Sequence, residues 1–199
     1  MRSNRGNRAL MIPAQLVAIV SLFLILYSIF GLTQENLGGA RPRVEQGGEE
    51  LFKTLGTLSV FITAVSYAWY HLKKKRKSPS PLVRLIVKWF DKLHKYTGYS
   101  AILLIATHGI YFLTQAVVKK ETYTGIAAFS LLLSAGIYGF LIKRLPKKNM
   151  RKVHFMLATA FALVAIIHAG GSAIMAILCT IVFWGITELI ERSATPAQD

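Results

Sequence analysis

The chain is short of several things, and each shortage removes a class of protein. It has one cysteine, Cys179, set inside an apolar run, which excludes a disulfide framework and a thiolate metal site. Acids are scarce, with 9 Asp and Glu against 24 Lys and Arg and a formal net charge of +15. Such a balance points to nucleic acid only when the cations share a soluble face, and here they sit in short segments between apolar blocks. Nucleic acid is therefore not an expected partner. Charge of either sign is missing from four long stretches, 9–32, 96–118, 122–142 and 153–187, in a chain that is 53% hydrophobic. A soluble core does not need uncharged runs of about 20 residues, whereas a helix crossing a bilayer does.

These blocks set the expected organisation: an all-α integral membrane bundle of six transmembrane helices, with membrane lipid as its surroundings. Residues 1–8 form a short basic N-terminus. The first span is expected over 9–32, with Pro13 in its first turn, where a missing amide donor is tolerated. The block is too long for a signal-peptide core and no small-residue cleavage site follows, so it reads as a retained span. A Gly-rich loop follows, and then a second span over 51–71, with Lys53 snorkelling at one end and Trp69 and Tyr70 at the other. Past the basic run 73–77 and the break at Ser78 to Pro81, apolar residues alternate with Arg84, Lys88 and Lys92. That pattern predicts an interfacial amphipathic helix leading into a third span over 95–118. A fourth span over 122–142 closes a tight hairpin. The stretch 153–187 is too long for one ordinary span and carries Gly170, Gly171 and Ser172 at its middle, so it divides into spans over 153–169 and 173–190, with a tail over 193–199.

Six spans put both termini on one side, together with the basic connections 73–95 and 143–152. The positive-inside rule makes that side the cytoplasm of a cell membrane.

Four of the five histidines form two pairs of equal spacing, His94 with His108 and His154 with His168. Fourteen residues come within about 40° of a whole number of turns, so each pair occupies one helix face at two depths about 21 Å apart. The two helices run in the same direction, since one span lies between them. His94 is therefore expected to meet His154, and His108 to meet His168. Two facing imidazoles can ligate one haem iron from opposite sides and leave no open position, an arrangement suited to electron transfer. A single intramembrane histidine often just bonds a neighbouring helix, but four at matched depth point to function. Around them, Gly98 and Gly109 would let a flat macrocycle approach the backbone. Lys92, Lys95, Arg151 and Lys152 flank the inner pair as partners for propionates, beyond their role as topology signals. Phe161, midway between His154 and His168 and opposite Ala101, is placed either to pack between two rings or simply to fill the core. His71, beside Trp69 and Tyr70, reads as an interfacial residue.

Leu93-His94-Lys95 with Gly98 and His108, and Arg151-Lys152-Val153-His154 with His168, resemble the ferric reductase-like transmembrane domain, the haem core of ferric reductases and NADPH oxidases. The chain looks most like the small stand-alone members such as MsrQ. The resemblance covers spans two to six and implies two haems b, held by His94, His108, His154 and His168. It departs from the larger relatives in having no Gly-rich nucleotide fingerprint. Electrons are then expected from a separate cytoplasmic flavin reductase or a quinol, with flavin or quinone at the cytoplasmic side and an extracytoplasmic acceptor at the other. On this reading the chain is the electron-transfer membrane subunit of an oxidoreductase system. The alternatives are a non-catalytic haem-binding module and a structural or transport protein whose histidines tie helices together.

Overall fold

The computed structural model describes residues 48–114, 120–142, 144 and 149–194, together with the single positions Ile19, Phe23, Leu24 and Leu26. Among them the architecture is all-helical, without strands. The helices are α1 (Glu49–Leu72), α2 (Pro81–Thr114), α3 (Lys120–Ile142), α4 (Met150–Ala169) and α5 (Gly171–Ser193), with a 3-10 turn at Lys73–Lys75. All five α-helices are long and apolar enough to cross a membrane. The described residues thus supply five of the six expected spans, and apart from those four single positions the expected span over 9–32 lies outside them.

The distribution of side chains is that of a bundle solvated by lipid. The interior is closed by small and hydroxyl-bearing residues such as Ala101, Ser59 and Ser130, whereas Leu103 is 68% and Ile167 72% exposed. Buried hydroxyls are satisfied within their own helices, Ser130 Oγ donating to the Ile126 carbonyl at 2.8 Å and Ser59 Oγ to that of Gly56 at 2.6 Å. Small residues let helices approach closely where lipid tails remove the usual hydrophobic drive for association.

Successive helices pack side by side, and α5 closes the ring by returning to α1. The turn between α4 and α5 takes one residue, Gly170, at φ 54 and ψ −121. Only glycine adopts that conformation without strain, and its amide still reaches the Ile166 carbonyl at 3.0 Å. Trp184 of α5 then donates Nε1 to the Ala68 carbonyl of α1 at 3.2 Å.

One expectation is revised in form. The amphipathic stretch and the third span are a single helix, Pro81–Thr114, of 34 residues. At about 1.5 Å per residue it is about 51 Å long, well beyond a hydrocarbon core of about 30 Å. The basic half does not lie apart from the bundle. Val83 and Val87 are buried in one cluster with Leu72 of α1, flanked by Phe90 and Phe183, and Arg76 pairs with Asp91 at 3.0 Å.

Lys75 is buried at the same end, paired with Glu188 at 2.6 Å and with Glu191, both on α5. Lys53, expected to snorkel, instead pairs with Glu49 at 2.9 Å and Glu50 at 3.1 Å. Lys75 is the buried member and separates two carboxylates, so Lys75→Met should lower the thermal unfolding midpoint in detergent. Adding Glu191→Gln should recover part of the loss, and an additive result from the double variant would contradict the pairing.

Candidate functional site

The site grows from a gap between two parallel helices. α2 packs on α1 and α3, α4 on α3 and α5, yet among the described residues no Cα of α2 comes within 8 Å of a Cα of α4. Across that gap the four histidines meet in two layers. The His94 and His154 rings have centroids 6.2 Å apart and planes at 90°, and the His108 and His168 rings lie 6.3 Å apart at 83°. Between the layers, Phe161 is buried in one cluster with Ala101, Ala128, Leu132 and Ala165. On α4 it stands seven residues from both His154 and His168.

Each ring is fixed from behind by a neighbouring helix through Nδ1. The Nδ1 of His94 lies 2.9 Å from the Ser66 carbonyl, that of His108 2.7 Å from Phe52, and that of His154 2.8 Å from Ala135. A carbonyl only accepts, so each of these nitrogens carries the proton. The Nδ1 of His168 lies 3.1 Å from Thr124 Oγ1, whose own hydrogen goes to the Glu121 carbonyl at 3.0 Å, so this nitrogen too must donate. All four rings are therefore held in the tautomer that leaves Nε2 with a free lone pair. That is the arrangement outer partners impose on histidines that bind metals.

The backs of the rings rest on residues without bulk. A Cβ at Gly56 would stand 2.7 Å from Cε1 and Nδ1 of His108, one at Gly125 2.9 Å from Cε1 of His168, and one at Gly139 3.1 Å from Cε1 of His154. His94 has Ser66 beside it, its Oγ 3.0 Å from Nδ1. The glycines singled out from sequence behave differently. Gly98 faces Ser66 Oγ at an ordinary 3.8 Å, so it packs α2 on α1, and Gly109 has nothing within 4 Å.

The remaining expected site residues lie further out. Lys95 is exposed, with Nζ 5.9 Å from the centre of the Tyr99 ring, and Arg151, Lys152 and Lys92 are exposed at the basic end. His71 belongs to neither layer. It lies against Trp184, ring centres 5.2 Å apart, with Nε2 3.9 Å from Glu188 Oε2.

The geometry can be tested against a metal. A metal ion bonded to both Nε2 atoms at about 2.0–2.1 Å, each nitrogen about 1.1 Å from its ring centre, sets the centroids about 6.3 Å apart. Both layers have that separation. Among the described residues no group of three or more His, Cys, Asp or Glu is placed to hold a metal. Each layer thus offers two histidines as its candidate ligands among the described residues.

Fold and site together define a multi-pass helical membrane protein with two stacked histidine pairs between parallel helices. No family model matches the chain, and no curated protein or solved structure matches it either.

Proposed function

We propose that this chain is a di-haem b-type membrane cytochrome of the ferric reductase-like kind, in which His94 and His154 would hold one haem and His108 and His168 the other. The observation that carries this reading is the ring separation, 6.2 and 6.3 Å, repeated in two layers with every Nδ1 engaged. A haem with both axial positions occupied supplies one-electron transfer with no site for an exogenous ligand. The chain's own part is to hold two such groups in line across the bilayer. The carbonyls of Ser66, Phe52 and Ala135 and the hydroxyl of Thr124 fix the orientation of the imidazoles through Nδ1. Phe161 and Ala101 exclude water between the layers, and Lys95 and Arg151 stand at the basic end for propionates.

By the positive-inside rule that end faces the cytoplasm. Electrons would enter the His94/His154 layer from a separate flavin reductase or a quinol and leave from the His108/His168 layer to an extracytoplasmic acceptor. The chain would then act as the electron-transfer subunit of an oxidoreductase system in the cell membrane. Purified protein should carry two haems b per chain and give a six-coordinate low-spin b-type spectrum on reduction. Folded protein that purifies without haem, or holds well below two, overturns the assignment. In proteoliposomes, haem-loaded protein that passes no electrons from an inner donor to an outer acceptor would mark a haem-binding module instead.

A further inference from the structure

The outer face of α2 carries a feature that the histidine layers do not use. Its inner face at the basic end is committed to the bundle through Val83 and Val87. The opposite face opens as a groove of about 200 Å³ lined by Leu85, Lys88, Trp89 and Lys92. Lys88 and Lys92 are exposed, and among the described residues neither pairs with an acid. Like charges one turn apart repel unless an anion lies between them. Exposed leucine and tryptophan beside them, at 50% and 60%, call for carbon as well as charge.

The depth of the groove narrows the partner. At the far end of the bundle the charged residues Glu49, Glu50 and Lys53 are level with Tyr111, whose ring stacks on Phe52 at 3.7 Å. Twenty residues back along α2, about 30 Å and thus one hydrocarbon thickness, is Asp91. The groove therefore lies where the headgroup layer begins. Toward the bilayer centre the same helix face continues through Tyr96 and Tyr99, both exposed. Tyr99 then lines a wholly apolar groove of about 240 Å³ between α2 and α3, with Ile102, Leu133, Gly136, Ile137 and Phe140. Gly136 leaves room here for the end of the Ile102 side chain, whose Cδ1 would stand 2.6 Å from a Cβ.

We propose that this face binds one anionic phospholipid, its phosphate between Lys88 and Lys92 beside Trp89 and an acyl chain in the α2/α3 groove. Charge complementarity, headgroup depth and an apolar groove further down the same helix face select a lipid over a soluble anion, which has no use for the lower groove. The site is independent of the haem reading.

The test is native mass spectrometry of the full chain released from bilayers mixing phosphatidylglycerol with phosphatidylcholine. The wild type should retain phosphatidylglycerol in preference to phosphatidylcholine by roughly tenfold or more, given the attraction of two lysines near an anionic surface. Lys88→Gln with Lys92→Gln should bring the ratio close to one, while Lys74→Gln, an exposed lysine elsewhere at the basic end, should leave it unchanged. Leu133→Trp, which fills the lower groove, should lower retention without touching charge. Circular dichroism identifies any variant that fails to fold, and the single lysine variants then replace it. Equal retention of the two lipids by the wild type overturns the proposal, as does a preference that survives loss of both lysines. A dimer that forms in phosphatidylcholine alone and is lost with Trp89→Ala would assign the face to a second copy and overturn it equally.

Discussion

Replacing His108 by alanine is expected to halve the haem content and leave the remaining haem reducible with an unchanged low-spin spectrum. The pairing makes the expectation sharper than a simple loss. His108 and His168 share one layer at 6.3 Å, and His94 and His154 share the other at 6.2 Å, with the two layers about 21 Å apart along the helices. Alanine at His108 and alanine at His168 should therefore give the same residual spectrum and potential. Alanine at His94 and at His154 should give the other one. Combining His108→Ala with His168→Ala should cost no more haem than either alone, whereas His108→Ala with His154→Ala should leave none. Spectra and haem content of the four single and two double variants decide it. If the cross-layer double variant keeps as much haem as the same-layer one, the ligand pairs have been drawn wrongly.

The layers themselves follow from features readable in the chain. Equal fourteen-residue spacings and one intervening span place His94 level with His154 and His108 level with His168, because a helix has fixed rise and period. The break at Gly170 is equally legible, since glycine both divides an uncharged run of excessive length and supplies the positive φ that the turn requires. The unity of α2 is harder to read. Alternating charge after Pro81 looks like a helix lying on the membrane, but backbone hydrogen bonding does not stop where the solvent changes, and no breaker separates Lys88 from Tyr96.

The outer partners of the histidines were legible only in part. Three of the four acceptors at Nδ1 involve backbone carbonyls, which every residue has, so Phe52, Ser66 and Ala135 carry no mark in their side chains. Phe52 and Ser66 are nevertheless fourteen residues apart, as a helix serving two layers at that spacing must arrange. The glycines do carry a signal. Gly125 and Gly139 repeat the same interval on α3, antiparallel to His168 and His154, and that coincidence could have been found by asking which small residues match the histidine period. Gly98 lies one turn from His94 and Gly109 follows His108, yet neither is placed behind a ring. The rings of His108, His154 and His168 rest on glycines of the neighbouring helix instead.

That cradle makes the second large prediction, in which every ligand is kept. Gly56→Ala should remove the His108/His168 haem almost as completely as His108→Ala. Two effects oppose each other, and their signs differ. In a helix interior alanine is better than glycine by about 1 kcal/mol, so on propensity alone the substitution stabilises α1. The new Cβ, however, would stand 2.7 Å from both Cε1 and Nδ1 of His108, closer than real contacts allow. The ring cannot simply swing aside, because Nδ1 donates to the Phe52 carbonyl at 2.7 Å on the same helix and, in the proposed function, Nε2 would have to stay at bonding distance from the haem iron. A displacement of a few tenths of an ångström at a ligand is felt directly in the metal bond. The three glycines should then rank by their clearances: Gly56→Ala more damaging than Gly125→Ala at 2.9 Å, and both more than Gly139→Ala at 3.1 Å. The first two should affect the outer haem and the third the inner one. Gly185→Ala on α5, where a Cβ meets nothing within 4 Å, isolates the propensity effect and should keep both haems. Were Gly56→Ala to bind two haems with wild-type spectra, as the Gly185 control should, the imidazole of His108 would not be resting on α1, and the geometry that carries the haem assignment would fall with it.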